Sequence, residues 1–200
     1  MQRCVSVIAV LIGFLVLVGC VSESGNRAAQ TEYDFGSYRY VNDEFTGDTT
    51  VTFWSFFSPE GTSFDRTDVF LSYTSGSPSY VMVFDFVTSD WLFADRILYL
   101  VGDQNGNLAP SHFDRDTTAL GNVRERLFVP LSDEQLTFFQ TAEPIKFSLR
   151  GSGGRREVAM TGPYHRDFQE MLWRIVAARE FIDAEEPVPA ELFNRFRRTD

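Results

Sequence analysis

Hydrophobic and polar positions alternate with a period of two through most of this chain and change to a helical period only near its end. SYVMVFDFV (79–87) places Tyr80, Met82, Phe84 and Phe86 on one face and Val81, Val83, Asp85 and Val87 on the other. Both faces are largely apolar, which predicts a central strand. DTTVTFWSFF (48–57) and TDVFLSY (67–73) carry the same β-branched and aromatic alternation, and SPEGTSFDR between them supplies loop chemistry. The three segments read as consecutive antiparallel strands. Trp91 to Val101 reads as two short apolar runs or one bent strand, broken at Asp95 and Arg96. In Val123 to Val129, Arg124 and Arg126 lie opposite Val123, Glu125, Leu127 and Val129, the pattern of a half-exposed strand.

The period then changes. Ser132-Asp133-Glu134-Gln135 matches the capping box, in which a Ser hydroxyl and a Gln side chain each satisfy an orphan backbone N–H, and Leu136 and Phe139 follow on one face. A short helix over 133–142 is expected, ended by Pro144. Residues 145–150 and 155–160 flank the Gly-rich GSGG as a hairpin would. Gly162-Pro163 places Pro at a first helical position. Phe168, Met171, Leu172, Ile175, Val176, Arg179 and Ile182 then keep the spacing of an amphipathic helix over 163–182. The order predicts an α+β fold on a mainly antiparallel sheet, sandwich-like arrangements included, in one globular domain over 32–183. Residues 184–200 open as an acidic, Pro-containing linker and allow one short helix from Ala190.

The first twenty residues follow neither period. A single charge, Arg3, precedes an apolar run from Val5 to Val18 that ends in Gly19-Cys20. This is the order of a secretory signal peptide, and the run is too short for a comfortable membrane span. Leu17-Val18-Gly19-Cys20 resembles the lipobox of bacterial lipoproteins, whose Cys is acylated and becomes the new amino terminus. The resemblance implies a signal peptide over 1–19 and a lipidated start at Cys20, with a small, polar tether through residue 31. Such lipoproteins typically carry three acyl chains, and one chain alone binds membranes only marginally. Val21, where inner-membrane lipoproteins of enterobacteria have Asp, implies an outer-membrane address, with the domain facing the periplasm.

Composition removes several function classes. The chain of 200 residues has 44% apolar residues and 20 Phe, enough for one well-built core. Its net charge is −10, so it lacks the general basic character that nucleic-acid binding needs, and no nucleic-acid partner is expected. Arg195, Arg197 and Arg198 lie beside acids in the tail and read as a solvated helix end. Lys146 is the single lysine against 17 arginines. Cys4 and Cys20 are the only cysteines, so the body after Cys20 has no disulfide, thiol nucleophile or Cys-based metal site.

Asp103-Gln104-Asn105-Gly106-Asn107 has oxygen ligands at alternate positions, like the start of an EF-hand loop. It departs from that pattern at Leu108 and Asp114, and an Asn-Gly pair after an apolar run is an ordinary hairpin turn. Ser111-His112-Phe113-Asp114 contains the residue types of a hydrolase triad, but neighbours along a chain do not normally stack nucleophile, base and orienter in line. His165, before Asp167, reads as a surface residue or local hydrogen-bond partner. The acid pairs Asp43-Glu44 and Asp114 with Asp116 are expected by chance among 28 carboxylates. No catalytic, cofactor or metal residue is therefore assigned. Phe53-Trp54-Ser55-Phe56-Phe57, with Trp91, Phe93 and Trp173, is read first as core and second as an apolar binding patch. The expected function is a non-enzymatic, lipid-anchored envelope protein that binds a partner protein or an apolar ligand. The rival is an envelope hydrolase acting on peptidoglycan, glycan or lipid, led by a carboxylate or His112.

Overall fold

A computed structural model of the chain describes residues 30–34, 38–43, 45–57, 67–141 and 144–193. The first 29 residues, Cys20 among them, and the tail arginines lie outside the described residues. Of the aromatic run at 53–57, only the Phe53 side chain is described. Among the described residues the fold is α+β, with two antiparallel sheets and two helices. The strands are β1 (Gln30–Asp34), β2 (Tyr38–Asp43), β3 (Thr49–Phe57), β4 (Thr67–Thr74), β5 (Tyr80–Thr88), β6 (Ala94–Val101), β7 (Gln104–Leu108), β8 (His112–Thr117), β9 (Val123–Leu131), β10 (Ile145–Gly151) and β11 (Gly154–Met160). The helices are α1 (Asp133–Thr141) and α2 (Pro163–Asp183), and a 3-10 turn covers Ala190–Phe193. β1 opens at Gln30, two residues before the start expected for the domain.

The first sheet has the order β1-β2-β3-β4-β5-β9-β8 and the second β11-β10-β6-β7. The chain meanders through β1 to β5, crosses to the second sheet, returns for β8 and β9, and crosses again for β10 and β11. β5 is interior, and its burial on both faces follows from its neighbours. Tyr80, Met82, Phe84 and Phe86 point into the core, while Val83 on the other face sits opposite Phe70 and Phe128. Phe84 meets Phe147 of β10 at 5.1 Å between ring centroids, and Phe147 meets Phe168 of α2 at 6.1 Å. The second sheet and α2 thus cover one face of the first sheet and share one core. Each buried aromatic there contributes about 1.5–3 kcal/mol over an exposed one.

Local signals set the helices. The Ser132 N–H donates to Gln135 Oε1 at 3.0 Å and the Gln135 N–H to Ser132 Oγ at 3.2 Å, a closed capping box. α2 starts at Pro163 and buries Phe168, Met171, Leu172, Ile175, Ala178 and Ile182. Its Arg174 is also buried: Nε pairs with Glu170 at 2.9 Å and Nη1 donates to the Leu192 carbonyl at 2.7 Å. That clamp seats Phe193 against Tyr38 and Phe53, with centroids 4.9 and 6.0 Å away.

Two expectations change. The segment 91–101 holds one strand, β6, that begins only at Ala94; Trp91 to Phe93 form the crossover, with Phe93 in the left-handed region at φ 49. The hairpin after β6 turns at Gly102-Asp103, and Asn105-Gly106 lies within β7. Gly106 is needed for space: a Cβ there would stand 2.2 Å from the Tyr99 ring opposite it.

The crossover is pinned by Glu125 of β9, which is 1% exposed. Its Oε1 accepts the N–H groups of Leu92 (2.6 Å) and Phe93 (2.9 Å), its Oε2 that of Ala94 (3.0 Å), and Arg115 Nε lies 3.2 Å from Oε2. The β10–β11 turn packs beside the same loop, with Gly153 N–H donating to the Leu92 carbonyl at 2.9 Å. A Cβ on Gly151 would lie 2.2 Å from the Phe93 carbonyl oxygen, so only glycine fits. Glu125→Ala strands these donors and the Arg115 charge. We expect it to lower the unfolding free energy by about 3–5 kcal/mol in urea denaturation, against less than about 0.5 kcal/mol for the exposed Asp116→Ala.

Candidate functional site

The sequence-nominated chemistry does not converge. Asp103 lies in a turn and Asn105 and Asn107 in a strand, where residues two apart share a face but stand about 6.6 Å apart and do not wrap one ion. Among the described residues, no group of three or more His, Cys, Asp or Glu could hold a metal ion. His112 lies exposed on the edge strand β8 with its ring 5.3 Å from Phe128, while Ser111 Oγ donates to the Phe128 carbonyl at 3.3 Å. Asp114 pairs instead with Arg126, and Asp116 accepts its neighbour's backbone N–H at 2.7 Å. His165 faces Gln169 at 3.2 Å in the first turns of α2. Asp43 accepts the Phe45 N–H at 2.9 Å as a turn residue, and Glu44 lies outside the described residues. Of the aromatics, Phe53 is core, Trp91 stacks on Phe93 with centroids 5.6 Å apart, and Trp173 is exposed.

Convergence occurs at the carboxyl-terminal end of α2. β2 contributes Tyr40 and Asn42, β3 Thr49, β4 Tyr73, the β4–β5 turn Ser75 and Ser77, and α2 Arg179 and Asp183; Glu185 and Glu186 follow. They line an open cleft of about 750 Å³. A smaller cleft of about 260 Å³ adjoins it, lined by Tyr80, Asp133, Leu136 and Gln140, and the two share Arg179 and Asp183.

Arg179 is the hub. Its Nε lies 3.1 Å from Asp183, while its Nη1 lies 2.5 Å from Asp133 at the start of α1 and donates to the Tyr80 hydroxyl at 3.1 Å. The guanidinium carbon also sits 5.1 Å and 5.2 Å from the ring centres of Tyr73 and Tyr80. The Tyr73 hydroxyl donates to Asp183. Burial, joined by that hydrogen bond and the Asp183 charge, pushes the Tyr73 phenol up to about 12. Burial also raises Tyr80, and the Tyr80 hydroxyl with the Asp183 and Asp133 carboxylates holds Arg179 above its ordinary range. No known protein family matches this chain, and no curated protein matches its sequence. The cleft's chemistry therefore has to be read from its own side chains.

A phenol that ionises near pH 12 is no base at neutral pH, and both strong acceptors of the network are engaged by Arg179. What stays open toward solvent is polar and hydrogen-bonding: the Asn42 amide and the Glu185 and Glu186 carboxylates. The loop carrying the two acids is strained. Glu185 has φ 56 and closes α2, with its N–H donating to the Ile182 carbonyl at 3.1 Å and the Glu186 N–H to that of Phe181 at 2.8 Å. That position usually holds glycine.

Arg179 was legible only as a member of the helix's inward face. The signal for its role was an Arg among apolar positions with Asp183 one turn on, an i, i+4 pair. Its tyrosines and Asp133 come from 46 to 106 residues away and left no such mark.

Two outcomes follow from this geometry. Tyr73 and Tyr80 are raised in the folded state, so their contribution is present below pH 10 and lost as pH rises toward 12. The melting temperature should fall over that window, and Tyr73→Phe should make the fall shallower while removing one late-titrating tyrosinate from the ultraviolet absorbance. Glu185→Gly should stabilise the fold by about 1 kcal/mol by relieving the left-handed strain, read from the urea midpoint.

Proposed function

We propose that this chain is a membrane-anchored lipoprotein of the bacterial envelope, acylated at Cys20 and addressed to the outer membrane. Its domain is a non-enzymatic binding module, and the Arg179 cleft holds a polar segment of an envelope partner. The observation that carries the binding reading is the closed state of the Tyr73–Asp183–Arg179–Asp133 network. Each group's strongest partner is another member, which suits a rigid wall better than a proton-transfer site. The cleft's open groups are polar, and Phe84, Phe86, Phe139, Phe147 and Phe168 are consumed by the core. Both facts favour a polar protein segment over an apolar ligand.

Native mass spectrometry of the protein released from its own membranes tests anchor and cleft together. The expected species begins at Cys20, carries acyl chains and retains a partner. An unacylated terminus elsewhere sinks the anchor. Asn42→Tyr fills the cleft from its β2 wall and should release the partner from a protein that melts like wild type; equal retention moves the contact away from the cleft.

A further inference from the structure

The outer face of the four-stranded sheet carries an arrangement that folding alone does not call for. In register, Arg150 of β10 lies directly opposite Arg96 of β6 on one side and Arg155 of β11 on the other. All three point away from the core, since Ile97, Leu149 and Val158 of the same strands point into it. Directly opposed side chains in a sheet stand about 5 Å apart at Cβ, and like charges so placed destabilise the pair. The row is only loosely countered. Arg96 Nε is 3.4 Å from Asp95 and Arg155 Nε is 3.6 Å from Glu157, both pairs more than 60% exposed. Arg150 Nε donates to the Ser148 hydroxyl at 3.3 Å and pairs with no carboxylate among the described residues.

The same face continues with Leu98, then with Lys146 opposite Leu100, which is 41% exposed. At the end of the sheet where the arginine row lies, the crossover presents Trp91 stacked on Phe93, itself 46% exposed, and Arg115 sits 5.8 Å from the Phe93 ring centre. Glu125 fixes that loop by three hydrogen bonds, so the aromatic pair is presented rigidly. The face is open, cationic and dotted with apolar side chains, on a molecule whose net charge is −10.

We propose that this face docks on an anionic lipid surface, with Arg96, Arg150 and Arg155 on headgroup phosphates and the Trp91–Phe93 pair at the headgroup level. The match is one of charge and shape. Clustered arginines are drawn to anionic leaflets, aromatic rings settle at the membrane interface, and an open sheet face meets a plane better than it meets a groove. The inference does not need acylation at Cys20. Where the anchor is present, the short tether keeps this face within reach of the bilayer and adds a second signal.

The test uses residues 21–200, which contain the whole core and no acyl chain, with vesicles of phosphatidylcholine alone or mixed with phosphatidylglycerol. Co-sedimentation and tryptophan fluorescence report binding. Wild type should bind the anionic vesicles, leave the neutral ones unbound and be released by salt. Arg96→Ser/Arg150→Ser/Arg155→Ser should weaken partitioning by on the order of 100-fold, from about 1 kcal/mol per arginine, with an unchanged circular dichroism spectrum. Should the triple variant fold poorly, the salt titration of wild type and the single Arg150→Ser variant, about fivefold weaker, decide the matter. Absence of binding to anionic vesicles, or binding that the substitutions leave unchanged, overturns the proposal. Binding to soluble polyphosphate but not to vesicles overturns it too and gives the face to an anionic polymer. Because no acyl chain is present, these outcomes stand apart from the fate of the Cys20 anchor.

Discussion

The two-sheet architecture depends on one buried carboxylate. Where the chain leaves β5 and enters β6, the N–H groups of Leu92, Phe93 and Ala94 are directed at a side chain, and two of those residues are buried. Unpaired, such groups would cost about 1–3 kcal/mol each. Glu125 gathers all three, and Arg115 of β8 neutralises it while its Nη2 donates to the Ala94 carbonyl at 2.8 Å. A buried charge is tolerable only when it is paired and hydrogen-bonded in this way. The consequences spread outward. Phe93 is held in a backbone region that a bulky residue avoids, the β10–β11 turn must carry glycine where it meets the loop, and β6 enters its sheet in the register that pairs it with β10.

At the other end of the molecule the same chemistry is used with the signs exchanged. Arg174 and Arg179 both leave α2 toward the interior, one fastening the 3-10 turn and the other joining α2 to α1 and to the end of the first sheet. Arg124 with Asp85 and Arg156 with Thr67 do comparable work along the sheets. A guanidinium is planar, always charged and weakly hydrated, so it can be buried against a ring while its fork serves several acceptors; an ammonium cannot do this as cheaply. That gives a physical reason for 17 arginines and one lysine, and for the place of Lys146 on an exposed face.

What the chain made legible was whatever is decided within a few residues. Alternation placed β3, β4, β5 and β9, and even put Glu125 on the inward face beside Val123 and Leu127; the capping box and Pro163 placed α1 and α2. The insertion of β9 between β5 and β8, and the pairing of β10 with β6, depend on partners far off in sequence, which periodicity does not encode. Gly102-Asp103 and Asn105-Gly106 both offered a turn; the chain turns at the first, which sets Gly106 opposite Tyr99 with the ring where a Cβ would stand. Glu125 reads as an inward acid, but its three donors belong to backbone 31 to 33 residues away, where no side-chain pattern could announce them. The cleft was hidden for the same reason, being assembled from the ends of several separate elements.

Charge placement sharpens the reading of the second sheet. In a protein with 28 acids, most described arginines are drawn to carboxylates, and the buried or half-buried ones have close, directed partners. Arg150, set between Arg96 and Arg155, breaks that rule where breaking it is avoidable. A Thr at Arg150 would keep the strand and remove the like-charge opposition on both sides. Nothing on the inward face depends on Arg150, since the neighbours that build the core there are Leu149 and Ile97. A destabilising arrangement that neither packing nor register requires is best explained by something outside the fold. The chemistry that would offset the repulsion is a plane of closely spaced anions.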